Sequence, residues 1–138
     1  MAEVTHSVSS TPSFPGAAYS GNSAPGVRFG RLFTTAGVSP YSEVAWERRT
    51  ASITDVSGKV IFEQKDVEVP ADWSMTATNI VASKYLHGHL GVPPGQPGAR
   101  ETGVRQLVVR VTETIRDWGL AGGYFATLED AAIFHDEL

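Results

Sequence analysis

Apolar positions along the chain are scattered at first and become periodic later. Within residues 101–118, Val104, Leu107, Val108, Val111, Ile115 and Trp118 recur at steps of three and four, while Arg105, Gln106, Arg110, Glu113 and Asp117 lie opposite. That pattern predicts an amphipathic helix with one face to bury. Gly119, Gly122 and Gly123 are read as its stop. An earlier helix is predicted from Asp72 or Ser74, both N-cap residue types, to Leu86, with Trp73, Ala77, Ile80, Val81 and Tyr85 as its stripe. A third starts at Thr127, where Thr127 and Asp130 resemble a capping box with Asp in place of Glu. Its stripe of Ala131, Phe134 and Leu138 is still apolar at Leu138, so the helix is expected to continue.

Upstream the pattern is extended. Residues 43–54 alternate imperfectly around Val44, Trp46 and Ile53, and residues 59–64 are apolar at Val60, Ile61 and Phe62. The intervening Asp55-Val56-Ser57-Gly58 has the composition of a hairpin loop. A third extended piece, residues 67–69, is expected to stop at Pro70, which cannot donate to a ladder. Residues 91–98 hold three prolines and three glycines and read as a loop. Residues 1–26, rich in Ser, Thr, Pro, Gly and Ala, carry too little apolar surface to offset the entropy of ordering and are expected to form a mobile tail. The fold class is therefore α+β: a short hairpin or strands followed by about three helices, in one domain over residues 27–138.

Composition narrows the chemistry. With 138 residues, 41% hydrophobic and 19% charged, the chain fits one globular domain. A formal charge of −4 gives no electrostatic reason to expect a nucleic-acid partner. No apolar run is long enough for a membrane span, and the N-terminus lacks the features of a secretory signal, so a cytoplasmic location is expected. Cysteine is absent, which removes disulfides, thiolate metal sites and thiol redox chemistry from this chain.

Several small motifs invite a functional reading, and most have a plainer one. His87 and His89 would share one side of an extended segment, as some metal sites require, but they bracket Gly88 at a helix end with no third ligand, so no metal site is assigned. Ser57-Gly58-Lys59 opens a strand, not the helix of a phosphate loop. The glycines at 119–123 follow a helix, where a dinucleotide fingerprint follows a strand. Arg48 and Arg49 beside Trp46 suit an anion, a cation–π contact or, more commonly, a solvated edge. Asn79, Ser83, Lys84 and Tyr85 form the densest polar cluster. Helical spacing puts Asn79 near Ser83, a pair that could hold a phosphate or a partner's backbone, with polar contacts to a neighbouring domain favoured. These six residues, Arg48, Arg49, Asn79, Ser83, Lys84 and Tyr85, are the candidate interface or ligand contacts.

Taken in order, the segments RLFTTAGVSPY at 31–41, EVAWERR at 43–49, FEQKDVEVP at 62–70 and NIVASKY at 79–85 resemble the N-terminal region of class II, adenosylcobalamin-dependent ribonucleotide reductases. RQL at 105–107 and GYFA at 123–126 add to the resemblance, and the loop at 91–99 is longer than the family usually has. The resemblance implies an enzyme that replaces the ribose 2′-hydroxyl of a nucleotide with hydrogen, using a cobalamin-derived radical, a protein thiyl and two further cysteines. It implies that these reside in a ten-stranded α/β barrel and C-terminal tail beyond Leu138, with this segment flanking that barrel. Adenosylcobalamin is then the cofactor of the whole enzyme and is not expected to bind this segment alone, and the partners are the catalytic barrel and, for the whole enzyme, the nucleotide substrate. No catalytic residue is assigned here. The alternative is an independent small α+β binding module without reductase activity.

Limited proteolysis is expected to trim residues 1–26 and leave a core that begins near Val27. Protection of that tail equal to that of the helix at 101–118 contradicts the reading.

Overall fold

The computed structural model describes residues 25–138, so the expected tail lies almost wholly outside the described residues. A 3-10 turn, Pro40–Glu43, leads into strand β1 (Trp46–Thr54) and strand β2 (Val60–Pro70). Helices α1 (Met75–Lys84), α2 (Val104–Ala121) and α3 (Leu128–Glu137) follow. β1 and β2 form a two-stranded antiparallel sheet, running from Trp46 opposite Pro70 to Thr54 opposite Val60. The class is α+β.

The hairpin loop forms where composition placed it. The Asp55 carboxylate accepts hydrogen bonds from the Ser57 amide at 2.8 Å, the Ser57 hydroxyl at 2.6 Å and the Lys59 amide at 3.0 Å. The two extended pieces expected at 59–64 and 67–69 are one continuous strand, a correction to the sequence reading. Between Arg49 opposite Val67 and Ala51 opposite Gln64, β2 has two residues, Lys65 and Asp66, where β1 has one. This is a bulge, and Asp66 takes a left-handed φ of 56° to make it. The extra residue shifts the alternation by one, so Gln64, Val67 and Val69 are all buried.

One face of the sheet carries the core of Ala51, Val67, Val69, Ala82, Leu86 and Val104. α1 starts at Ser74, whose hydroxyl accepts the Ala77 amide at 3.1 Å. Its buried line is Thr78, Ala82 and, just beyond its end, Leu86, whereas Ile80 and Tyr85 of the expected stripe are exposed. Thr78 can be buried because its hydroxyl donates to the Ser74 carbonyl at 3.1 Å and accepts from Arg49 at 3.1 Å.

α2 begins at Val104 and runs through Gly119 to Ala121, so Gly119 lies inside the helix and does not end it. The reason is packing: a Cβ at Gly119 would sit 2.4 Å from Cε2 of Phe125. Phe125 belongs to an aromatic cluster with Phe29 and Phe134, whose ring centroids lie 5.1–5.9 Å apart. At the other end, Gly103 lets the chain approach β2, where a Cβ would meet that of Glu68 at 2.6 Å. α3 opens with the expected cap: the Thr127 hydroxyl accepts the Asp130 amide at 3.0 Å and donates to the Asp130 carboxylate at 2.6 Å.

Gly119→Ala is expected to destabilise the domain by about 1–3 kcal/mol through overpacking against the Phe125 ring, more than the roughly 1 kcal/mol that Ala adds to a helix interior. Thermal unfolding followed by circular dichroism should show a melting temperature lower by several degrees. An unchanged or raised value contradicts the packing argument.

Candidate functional site

A cleft of about 750 Å³ lies between the 33–46 loop, the first half of α2 and the end of α3. Trp46 and Trp73 flank it on the sheet side, and Val104 and Val108 supply the α2 wall. Val38 and Val44, both partly exposed, form the opposite wall. The loop is shaped by the turn at residues 39–43, where the Ser42 hydroxyl donates to the Ser39 carbonyl at 2.6 Å. The Trp46 indole N–H donates to the Tyr41 carbonyl at 2.9 Å, which orients the ring at the start of β1.

Arg105 stands behind this wall. Its guanidinium lies 4.7 Å from the Trp46 ring centroid and 5.7 Å from that of Tyr41, and it pairs with Glu68 at 2.9 Å. Burial pushes the Tyr41 phenol above its ordinary value, opposed by the nearby Arg105 cation.

The other end of the cleft is closed by a carboxylate clamp. Glu137 accepts from three consecutive backbone amides, Leu32 at 2.9 Å, Phe33 at 3.0 Å and Thr34 at 2.8 Å, and from the Thr34 hydroxyl. Arg31 pairs with Asp136 at 2.9 Å and donates to the Thr34 hydroxyl at 2.8 Å. Earlier in the same segment, the Phe29 amide donates to Asp130 at 2.9 Å. The segment is thus tied to both ends of α3. Hydrogen bonds from the Thr34 side chain and from these amides hold the Glu137 carboxyl down at about 2.

The candidate residues read from the sequence are not brought together in one place. Arg49 is engaged internally: it pairs with Glu47 and donates to the carbonyls of Trp73 and Ala71 and to the Thr78 hydroxyl. Arg48 donates to the Asp66 carbonyl at 3.0 Å, across the bulge. Asn79 accepts the Ser52 amide at 3.0 Å and so fastens α1 to β1, while the Ser83 hydroxyl turns back to the Ile80 carbonyl. Lys84 and Tyr85 are exposed. His87 and His89 are exposed too, and among the described residues no group of three or more His, Cys, Asp or Glu side chains is placed to hold a metal ion. No described helix is long and apolar enough to cross a membrane.

Sequence reasoning missed Arg100 and the clamp. Arg100 donates to Gln64 at 2.9 Å, to the Gly88 carbonyl at 2.9 Å and to the Ala82 carbonyl at 2.5 Å, joining α1, β2 and the loop between α1 and α2. Glu137 and Thr34 are 103 residues apart, and no local pattern announces such a pair.

The α2 stripe divides in two. Val104 is buried, and Leu107 and Val108 pack against the core, but Val111 is 42%, Ile115 37% and Trp118 65% exposed. On α3, Ala131 is buried and Phe134 lies in the aromatic cluster, while Leu138 is 54% exposed beside the cleft.

Residues 47–138 match a family described as class II vitamin B12-dependent ribonucleotide reductase. A vitamin B12-dependent ribonucleotide reductase of Rhodopirellula baltica is 52% identical over 102 residues, covering 74% of this chain and 9% of the relative. That of Streptomyces clavuligerus is 48% identical over 114 residues, 82% of this chain and 11% of the relative. That of Agrobacterium fabrum is 31% identical over 141 aligned positions, 81% of this chain and 11% of the relative. The matched region spans about a tenth of the length of these relatives.

Because the Glu137 carboxyl is depressed from 4.5 to about 2, its contribution to holding the loop is fully present above about 4.5 and is lost as pH falls through about 2. The amide resonances of Leu32, Phe33 and Thr34 should therefore show no titration between about pH 7 and pH 4, where an ordinary glutamate would already be visible. A midpoint near 4.5 contradicts the clamp.

Proposed function

The chain belongs to the class II vitamin B12-dependent ribonucleotide reductase family, and on that premise we propose that it is an N-terminal structural and assembly segment of an adenosylcobalamin-dependent enzyme that reduces ribonucleotides to deoxyribonucleotides. The observation that carries the assembly role is the partly exposed second half of the α2 stripe. Val111, Ile115 and Trp118 continue the spacing of Val104, Leu107 and Val108 past the edge of the core. Full burial of a large side chain is worth roughly 1.5–3 kcal/mol; Trp118, 65% exposed, forgoes most of it and Val111 and Ile115 a smaller part, and an apolar patch of this kind suits a protein interface. The partner is the rest of the reductase, whose relatives extend far beyond the region matched here.

The chemistry belongs to that partner. The chain contains no cysteine and so supplies neither a thiyl radical nor a reducing thiol pair. The cleft does not fit cobalamin or a nucleotide: its walls are apolar, its carboxylates are Glu43, Asp136 and Glu137, and no Lys or Arg lines it. A phosphate-bearing ligand finds there no basic side chain but the His135 imidazole, which lies beside Asp136. A cytoplasmic, soluble setting is part of the same proposal. Nothing observed favours an independent binding module.

Trp118→Asp tests the docking face, because Trp118 is 65% exposed and contributes less to the segment's own packing than Ile115, which is 37% exposed. The isolated chain should nearly keep its melting temperature, whereas the reductase polypeptide carrying the substitution should lose several kcal/mol of interface stability, since it buries an unpaired charge. Unfolding and deoxyribonucleotide formation measured on that polypeptide give the answer. Unchanged stability and turnover contradict the assembly role.

A further inference from the structure

The cleft and the exposed α2 stripe meet along one helix. Val104 and Val108 line the cleft, and Val111 and Ile115 follow them at steps of three and four. The cleft is also held open by polar contacts that do not depend on a ligand: the Glu137 clamp on residues 32–34, the Arg31–Asp136 pair and the Trp46 bond to Tyr41. Phe33 stands at its mouth, 78% exposed although its amide is fixed. A preformed apolar cleft of about 750 Å³ lies within the range of binding pockets, roughly 300–1,000 Å³.

The charges on its walls choose among occupants. Asp136 is paired with Arg31, and Glu137 is saturated by the amides of its clamp. Glu43 has no ion pair among the described residues, and the His135 imidazole is the sole basic side chain on the wall, 3.6 Å from Asp136. An anionic ligand is disfavoured, and an apolar peptide with a basic residue beside its anchor is favoured.

We infer that this cleft is a socket that receives an apolar segment from the rest of the reductase, with a Lys or Arg of that segment facing Glu43. The inference rests on the proposed assembly role and gives it a second point of engagement, distinct from the α2 face. The length of the relatives supplies the occupant: the matched region is 9–11% of each, so about nine-tenths of the polypeptide is available to fill the socket.

The test uses a photo-crosslinking amino acid placed singly at position 44, 115 or 56 of the reductase polypeptide that carries this segment. Val44 borders the cleft, Ile115 lies on the α2 face, and Val56 at the hairpin tip is fully exposed and serves as the control. Position 44 should crosslink to a sequence beyond residue 138, mapped by mass spectrometry to an apolar stretch with a neighbouring basic residue, and position 56 should not. Glu43→Lys should reduce the yield from position 44 and leave that from position 115 intact. Crosslinking from 115 without 44 overturns the socket and leaves the assembly role standing, whereas crosslinking from neither overturns both. Capture of a nucleotide or of a second copy of the segment at position 44 overturns the socket, as does equal crosslinking from position 56.

Discussion

Two antiparallel strands have one face to bury and little area to bury it with, and everything else in this molecule follows from how that face is closed. An isolated hairpin is marginal in water and needs a helix against it. Here α1 and the beginning of α2 cover it, and the core they enclose is small: three of its six buried members are valines and two are alanines. Guanidinium groups complete the closure. Arg49 donates to carbonyls at the start of the α1 segment, and Arg100 donates to carbonyls at and beyond its end, so one helix is fastened at both ends by five-donor forks. Charge-assisted bonds of this kind are directional and strong, which compensates for a core with few large side chains.

That closure explains why α2 has two environments. A helix of 18 residues is about 27 Å long, and its contact with the core ends at Val108. Beyond it, Thr112 and Gly119 are buried, Gly119 beneath the Phe125 ring, while Val111, Ile115 and Trp118 of the stripe remain partly exposed. The same segment of sequence therefore folds the domain with its first half and presents an apolar surface with its second. The two uses are sequential along one periodic face, which is why the periodicity alone could not separate them.

Features legible in the sequence were those determined within a few residues. The Thr127 cap and the Asp55 turn are local and formed where the sequence put them, Ser74 is the cap of the two candidates offered for α1, and the helix expected at 101–118 formed three residues later, at Val104–Ala121. The bulge at Lys65 and Asp66 was not legible because a parity shift in a strand looks like the end of the strand. The buried face of α1 was misplaced because its central residue, Thr78, is polar and becomes buried only once Arg49 and the Ser74 carbonyl satisfy it. Gly119 resembles a terminator until the Phe125 ring is placed against it. Candidate contacts suffered the same way: apart from the Glu47 pair of Arg49, the partners that engage Arg49 and Asn79 lie outside their own elements, 22–29 residues away. The cleft was invisible for a stronger reason, since its walls come from the 33–46 loop, α2 and α3, and the loop meets the helices only across about 60 to 100 residues, through Arg105 against Tyr41 and Trp46 and through the Glu137 clamp.

A division of labour between polar and apolar groups follows. The irregular segment at residues 27–34 contributes Phe29 to the aromatic cluster, pairs by its Val27 backbone with Tyr124 and Ala126, and beyond that is fixed by carboxylates, Asp130 at the start of α3 and Glu137 at its end. Both carboxyls are held below their ordinary values by the hydrogen bonds they accept, so neither loses its charge near neutral pH. Because main-chain amides and charged side chains position this segment, Leu32 and Phe33 are not needed for its own packing and remain outside. The same holds around the cleft, where Val38 and Val44 ride on a turn set by hydrogen bonds. A domain organised this way keeps its apolar residues available in fixed positions, so an incoming surface meets groups that are already ordered. Binding then avoids much of the entropic cost of arranging them. That is the physical property an assembly segment requires, and it arises here from the small size of the core: the fold could not enclose these residues, and it ordered them by other means.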